Sequence, residues 1–112
     1  VFRSCCCRQR EFCQAMSSDR KNELQLRVIS SRDAAQAVSG TRGAVVSGGP
    51  DVTDEAGLGI GAHSERSVDH INVIFAVEDK FVTVMLEREP SLGDADAQMA
   101  RTFSQAVTEE LR

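Results

Sequence analysis

Apolar and polar positions alternate most regularly between His70 and Leu86. Two runs, His70-Ile-Asn-Val-Ile-Phe-Ala-Val77 and Phe81-Val-Thr-Val-Met-Leu86, have the period of two that marks a β-strand. A two-residue turn at Asp79-Lys80 pairs Val77 with Val82, Phe75 with Val84 and Val73 with Leu86, sending all six side chains to one face. Cross-strand apolar pairs of this kind stabilise a sheet by roughly 0.2–1 kcal/mol each. A one-residue slip brings Thr83 and Met85 to that face instead, so the pattern favours the first register. The other face sets Ile74 beside Met85, which predicts a strand pair covered on both sides and central in its sheet.

The period then changes. Pro90 and Gly93 mark an exit, and Asp94 is placed to cap a helix over Ala95–Leu111. Met99, Phe103, Val107 and Leu111 recur every fourth residue, flanked by Ala100 and Ala106, while Gln98, Arg101, Gln105 and Glu109 occupy the opposite side. This predicts a helix laid on the sheet. Replacing Phe103 with Ala should cost ~3–5 kcal/mol if the ring is fully buried.

The first half is less regular. In residues 1–22, Phe12, Cys13 and Met16 could share one helical turn, which Ser17-Ser18-Asp19 would end. Leu24, Leu26 and Val28 share one face of a strand over Glu23–Ile29. Ser31 is a reasonable N-cap for a short helix over Arg32–Val38, with Gly40 as its stop. Ala44-Val45-Val46 is a brief apolar run before the break at Ser47-Gly48-Gly49-Pro50. Between Asp51 and Asp69 one strand is expected near Leu58 to His63, with a connecting loop over Ser64–Asp69. The expected fold class is α+β: an antiparallel sheet of four to five strands with a short helix and a C-terminal amphipathic helix packed on it. Residues 1–22 are expected to form an irregular arm, non-native or truncated, and 23–112 a single domain.

Composition narrows the function. The chain has 112 residues, 41% hydrophobic and 27% charged, enough to bury one core. Its formal charge is −4, and because Arg3, Arg8 and Arg10 outnumber Glu11 in the first thirteen residues, the remainder sits near −6. An acidic body without Trp or Tyr argues against a nucleic-acid partner. No apolar run is long enough for a transmembrane segment or signal core. With Val1 in first place, an upstream piece is expected to have been removed or the native start to lie elsewhere.

Candidate chemistry is sparse. Cys5, Cys6, Cys7 and Cys13 are the four cysteines, and none stands in the following 99 positions. A disulfide framework would spread its cysteines to staple distant elements. Four close thiols could hold zinc, but three in a row do not aim easily at one tetrahedral point, and no Cys-x-x-Cys pair is present. Acylation of this arm is chemically conceivable, and an irregular tail is the plain alternative. Gly57-Leu-Gly59-Ile-Gly61-Ala62 nearly matches a dinucleotide fingerprint, which needs a buried strand before it and a helix N-terminus after it. Bend glycines fit this context better. His63, Glu65, Asp69 and His70 could be assembled into a metal or acid–base site, but their spacing matches no motif, and Ser64 beside His63 is no triad by adjacency. No residue is assigned a catalytic, cofactor or metal role, and no enzymatic activity is expected.

From Cys13 onward the order of elements resembles an actinobacterial secreted lipoprotein family, domain of unknown function 3558. Cys13, Leu24–Val28, Asp33–Val38, Val52-Thr-Asp-Glu-Ala-Gly-Leu-Gly59, Ile71–Leu86 and Met99–Leu111 fall in the family's order, over about residues 13–112. The closest echoes are the Val-x-x-Glu-Ala segment and the pair Ile71-Asn-Val-Ile-Phe-Ala-Val with Phe81-Val-Thr-Val. Ala15 stands where the family places a Trp, and residues 1–12 have no counterpart. The resemblance implies an extracytoplasmic, envelope-associated, non-catalytic module that binds an unknown ligand or envelope protein, or serves as a scaffold. It also makes Cys13 a disulfide member without its family partner. The rival expectation is a small cytoplasmic interaction or subunit domain associating through an open sheet face. A hydrolase using His63, Glu65 or His70 is a third.

Overall fold

The computed structural model describes residues 2–8, 12–17, 21–43, 49, 51–59 and 61–111. Two antiparallel meanders share one sheet. The first comprises β1 (Phe2–Arg8), β2 (Phe12–Ser17) and β3 (Asn22–Ser30). The second comprises β4 (Asp51–Asp54), β5 (His63–Arg66), β6 (His70–Val77) and β7 (Lys80–Arg88). Helix α1 (Ala34–Gly43) connects them, α2 (Asp94–Leu111) ends the chain, and the strand order is β1-β2-β3-β7-β6-β5-β4. The five strands β3–β7 with their two helices form the expected α+β sheet. β1 and β2 extend it, so residues 2–8 and 12–17 of the arm expected to be irregular, including the helical turn considered at Phe12–Met16, run as strand backbone. The apolar run at 44–46 lies outside the described residues.

The β6–β7 hairpin turns one residue earlier than expected, at Glu78-Asp79. Val77 pairs with Lys80, Phe75 with Val82, Val73 with Val84 and Ile71 with Leu86. Glu78 takes φ 55°, the positive value that a tight hairpin turn requires at its first central residue. The correction shifts every pair by two residues, so each side chain keeps its face. For that reason alternation alone could not detect it. β7 is the middle strand, and β3 joins it through Leu24–Leu86, Leu26–Val84 and Val28–Val82.

The two sheet faces have different covers. Ile71, Val73, Phe75, Val77, Val82, Val84 and Leu86 form the main core with Leu58, Ala62 and Leu92 and with Ala97, Ala100 and Val107 of α2. Ile74 is buried on the other face, outside that core, as are Ala34 and Val38 of α1. Arg42 of α1 pairs with Asp54, whose register partner His63 in turn opposes Ile74, which puts α1 on this second face. The central strands are thus covered on both sides, as expected, although Ile74 opposes Thr83 and Met85 opposes Asn72.

Both helices differ in detail from the sequence-based expectation. The Asp33 carbonyl accepts the first α1 bond, from Ala37 N–H, while the Ser31 hydroxyl accepts from Asp33 N–H. α1 also continues through Gly40 to Gly43. In α2, Gly93 occupies the cap: its carbonyl accepts from Ala97 N–H, and its own N–H donates to Asp96 Oδ2 at 2.9 Å. That reciprocal bond is the N3 half of a capping box, made by Asp96 and not Asp94.

The buried face of α2 runs through Asp96, Ala97, Ala100, Ser104, Val107 and Thr108, while Met99 is 46% exposed and Phe103 half-buried. A strict four-residue repeat drifts about 40° per step around a helix of 3.6 residues per turn, so Met99 falls off the face that Val107 occupies. Small residues replace it and let the helix lie close to the sheet. Ser104 and Thr108 tolerate burial because their hydroxyls donate to the carbonyls of Ala100 and Ser104.

Candidate functional site

The region from 51 to 66, where one strand near Leu58 to His63 is expected, contains two short strands and the most closely connected polar group among the described residues. The strand expected near Leu58 to His63 begins instead at His63. Leu58–Ala62 belongs to the connection from β4, where Gly57, Gly59 and Gly61 have φ of 85°, 111° and 77°. A side chain at Gly61 would also meet Ser39 Oγ at 3.1 Å. The connection closes where Glu55 N–H donates to the Ala62 carbonyl at 3.0 Å. The near-fingerprint therefore links strand to strand, with no helix N-terminus following it to receive a pyrophosphate.

Glu55 lies at the base of this connection with a side chain only 8% exposed. Ser64 Oγ donates to its Oε2 at 2.8 Å, and Arg101 Nε, from α2, donates to Oε1 and Oε2 at 2.9 and 3.0 Å. Ser64 opposes Val73, on the α2 face, so the strand delivers its hydroxyl beneath the helix. Chemically this is a clamp. The carboxylate accepts from both neighbours, and the serine donates its only proton to a group already paired with a cation. Neither Glu55 nor Arg101 stands out as a site in the sequence. The local signal is Glu55 itself, an acid in the short Val52-Thr-Asp-Glu-Ala56 segment, but its partner is 46 positions away.

The residues considered for metal or acid–base chemistry are dispersed. His63 is fully buried, with Nδ1 2.9 Å from the Gly61 carbonyl and Nε2 without a partner. The first contact assigns the ring hydrogen to Nδ1. His63 and Ser64 are successive strand residues on opposite faces, which separates imidazole from hydroxyl. Ser64, expected at the start of a connecting loop, is instead a buried strand residue. His70 bonds Asp69 Oδ1 at 2.8 Å, four strand positions from Ile74, the partner of His63. At about 3.3 Å per residue that places the two histidines on the order of 13 Å apart.

A second charged group fastens the start of α2. Arg88 donates to Asp96 at 2.7 Å, and Arg66 donates to Asp94 at 2.8 Å and to the Leu92 carbonyl at 3.2 Å. Asp94 is 97% exposed and Asp96 buried, so the two acids differ sharply in what they hold.

The remaining candidate is a surface. α1 and α2 lie against β6 and β7. Beyond them Leu24, Leu26 and Val28 of β3 continue the apolar rows of β7 but are only half-buried. By backbone register, β2 and β1 prolong the ladder past this row.

Comparisons with protein-family models, curated proteins and solved structures return no match. Among the described residues, no helix is long and apolar enough to cross a membrane.

Proposed function

We propose that this chain is a non-catalytic binding or scaffolding domain of the cell envelope, organised like the secreted lipoproteins it resembles. The half-buried row Leu24, Leu26 and Val28 carries the binding part of this reading, because it leaves an apolar margin of the main core beyond its helices. Glu55, Ser64 and Arg101 satisfy one another and hold α2 in place, so this cluster calls for no enzymatic chemistry. The envelope part rests on the family likeness. It is tested by fusing the native gene, with its own upstream sequence, to a reporter enzyme active only outside the cytoplasm. Reporter activity that depends on an upstream lipobox cysteine is the expected result. Activity confined to the cytoplasm overturns export.

The open sheet margin also favours a second reading, a cytoplasmic subunit-type domain. Its signature is self-association or a stoichiometric co-purifying subunit, lost in Leu26→Lys while the far-ultraviolet circular dichroism is retained. A strictly monomeric product without a subunit counts against it.

A further inference from the structure

The cysteines of the first two strands are brought into a register that their spacing in sequence does not disclose. β1 and β2 are antiparallel neighbours in which Cys7 stands directly opposite Cys13, Cys6 opposite Gln14 and Cys5 opposite Ala15. We propose that Cys7 and Cys13 are a disulfide pair that ties β1 to β2. This goes beyond the functional reading above and does not depend on it.

Backbone geometry selects one pair among the alternatives. Directly opposed residues in an antiparallel ladder have Cα atoms about 4.5–5.5 Å apart. Disulfides span Cα separations of about 4.4–6.8 Å. Cys5 is diagonal to Cys13, and diagonal positions lie roughly 7–8 Å apart, at or past the reach of a disulfide without backbone movement. Cys6 occupies the alternate strand position, which belongs to the opposite face of the ladder. The irregularity in the β1–β2 pairing falls between Phe2 and Cys5, outside the stretch that aligns Cys7 with Cys13.

The chemistry is ordinary thiol–disulfide exchange. One thiolate attacks a small-molecule disulfide oxidant and releases one thiol. The second protein thiolate then displaces the other, forming the Cys7–Cys13 S–S bond. Two protein thiols are oxidised and one oxidant disulfide is reduced to two thiols.

The test uses the full chain, equilibrated with reduced and oxidised glutathione, acid-quenched and isolated as the monomer by gel filtration. Trypsin cuts after Arg8 and Arg10, so Cys7 and Cys13 fall on separate peptides that only a disulfide can join. Mass spectrometry without reductant should find the peptide Ser4–Arg8 linked to Glu11–Arg20. The link should vanish in Cys7→Ser and persist in both Cys5→Ser and Cys6→Ser. A link that survives Cys7→Ser overturns the pairing. So does one that is confined to dimers, or four free thiols under strongly oxidising glutathione.

Discussion

Arg101 on α2 donates its Nε–H to both carboxylate oxygens of Glu55, across 46 positions of chain. The two ends of this bond are unequal. The Glu55 side chain is 8% exposed and the Arg101 side chain 29%, so loss of either partner strands a different group.

That asymmetry sets the first prediction. Arg101→Met should leave a buried carboxylate with only Ser64 as donor and cost about 2–4 kcal/mol, allowing for the partial exposure of the pair. Glu55→Leu frees Arg101 to turn toward water and deprives Ser64 of its acceptor, at about 1–2 kcal/mol. Urea denaturation of both variants decides the order, and a milder Arg101→Met contradicts the clamp.

The cap of α2 yields a contrast between neighbouring acids. Asp96→Ala removes the bond to Gly93 N–H and the partner of Arg88, and should cost about 1–2 kcal/mol. Asp94→Ala removes only an exposed ion pair with Arg66, worth about 0–1 kcal/mol. Equal losses of thermal stability would return Asp94 to the role its sequence position promised.

Packing under α2 can be probed from four positions. Met99→Gln should be nearly neutral because that side chain faces water, whereas Ala100→Leu should overpack the interface by roughly 1–3 kcal/mol. Phe75→Ala, in the fully buried centre, should cost about 3–5 kcal/mol, and half-buried Phe103→Ala clearly less. Chemical denaturation ranks the four variants; a destabilised Met99→Gln would place the wrong face of the helix on the sheet.

Two glycines should respond with opposite signs. Gly40 lies inside α1 with open space where a Cβ would stand, so Gly40→Ala should stabilise by about 0.5–1 kcal/mol. Gly61 has φ 77° and Ser39 Oγ in the way, so Gly61→Ala should destabilise by more than about 1 kcal/mol. Thermal melts that move in the same direction would refute one of the two backbone assignments.

The hairpin turn carries a shifted carboxyl group. Lys80 holds the Asp79 carboxyl below its ordinary value, first through the Nζ–Oδ1 hydrogen bond at 3.1 Å and then through its charge, helped by a backbone hydrogen bond. With the folded value depressed, the pair's contribution is present above the ordinary carboxyl range and is lost as pH falls through the lowered value. Lys80→Met should raise the Asp79 midpoint in a carbon-detected NMR titration. An unmoved midpoint dismisses the pairing.

Much of the sheet is legible in alternation alone. Leu24, Leu26 and Val28, and the runs across β6 and β7, name their strands and faces because strand periodicity is local. The turn position is not legible, since a two-residue change in pairing preserves every face. Ser64, Glu65 and Arg66 look like polar loop residues because nothing nearby shows that β5 slots between β4 and β6. Glu55 and Arg101 are invisible as a pair for the same reason: their contact exists only once α2 has been laid across the sheet.

By itself, then, the sequence determined the type of the β3, β6 and β7 strands, the apolar face they share and the presence of a C-terminal helix, all encoded in periodicities a few residues long. Only the tertiary structure decided which side of that helix is buried, which acid caps it, and which of the early cysteines stand opposite one another. Those outcomes depend on the closeness of approach between distant segments. Small residues such as Ala97, Ala100 and Ser104 permit that approach without announcing it in hydrophobicity.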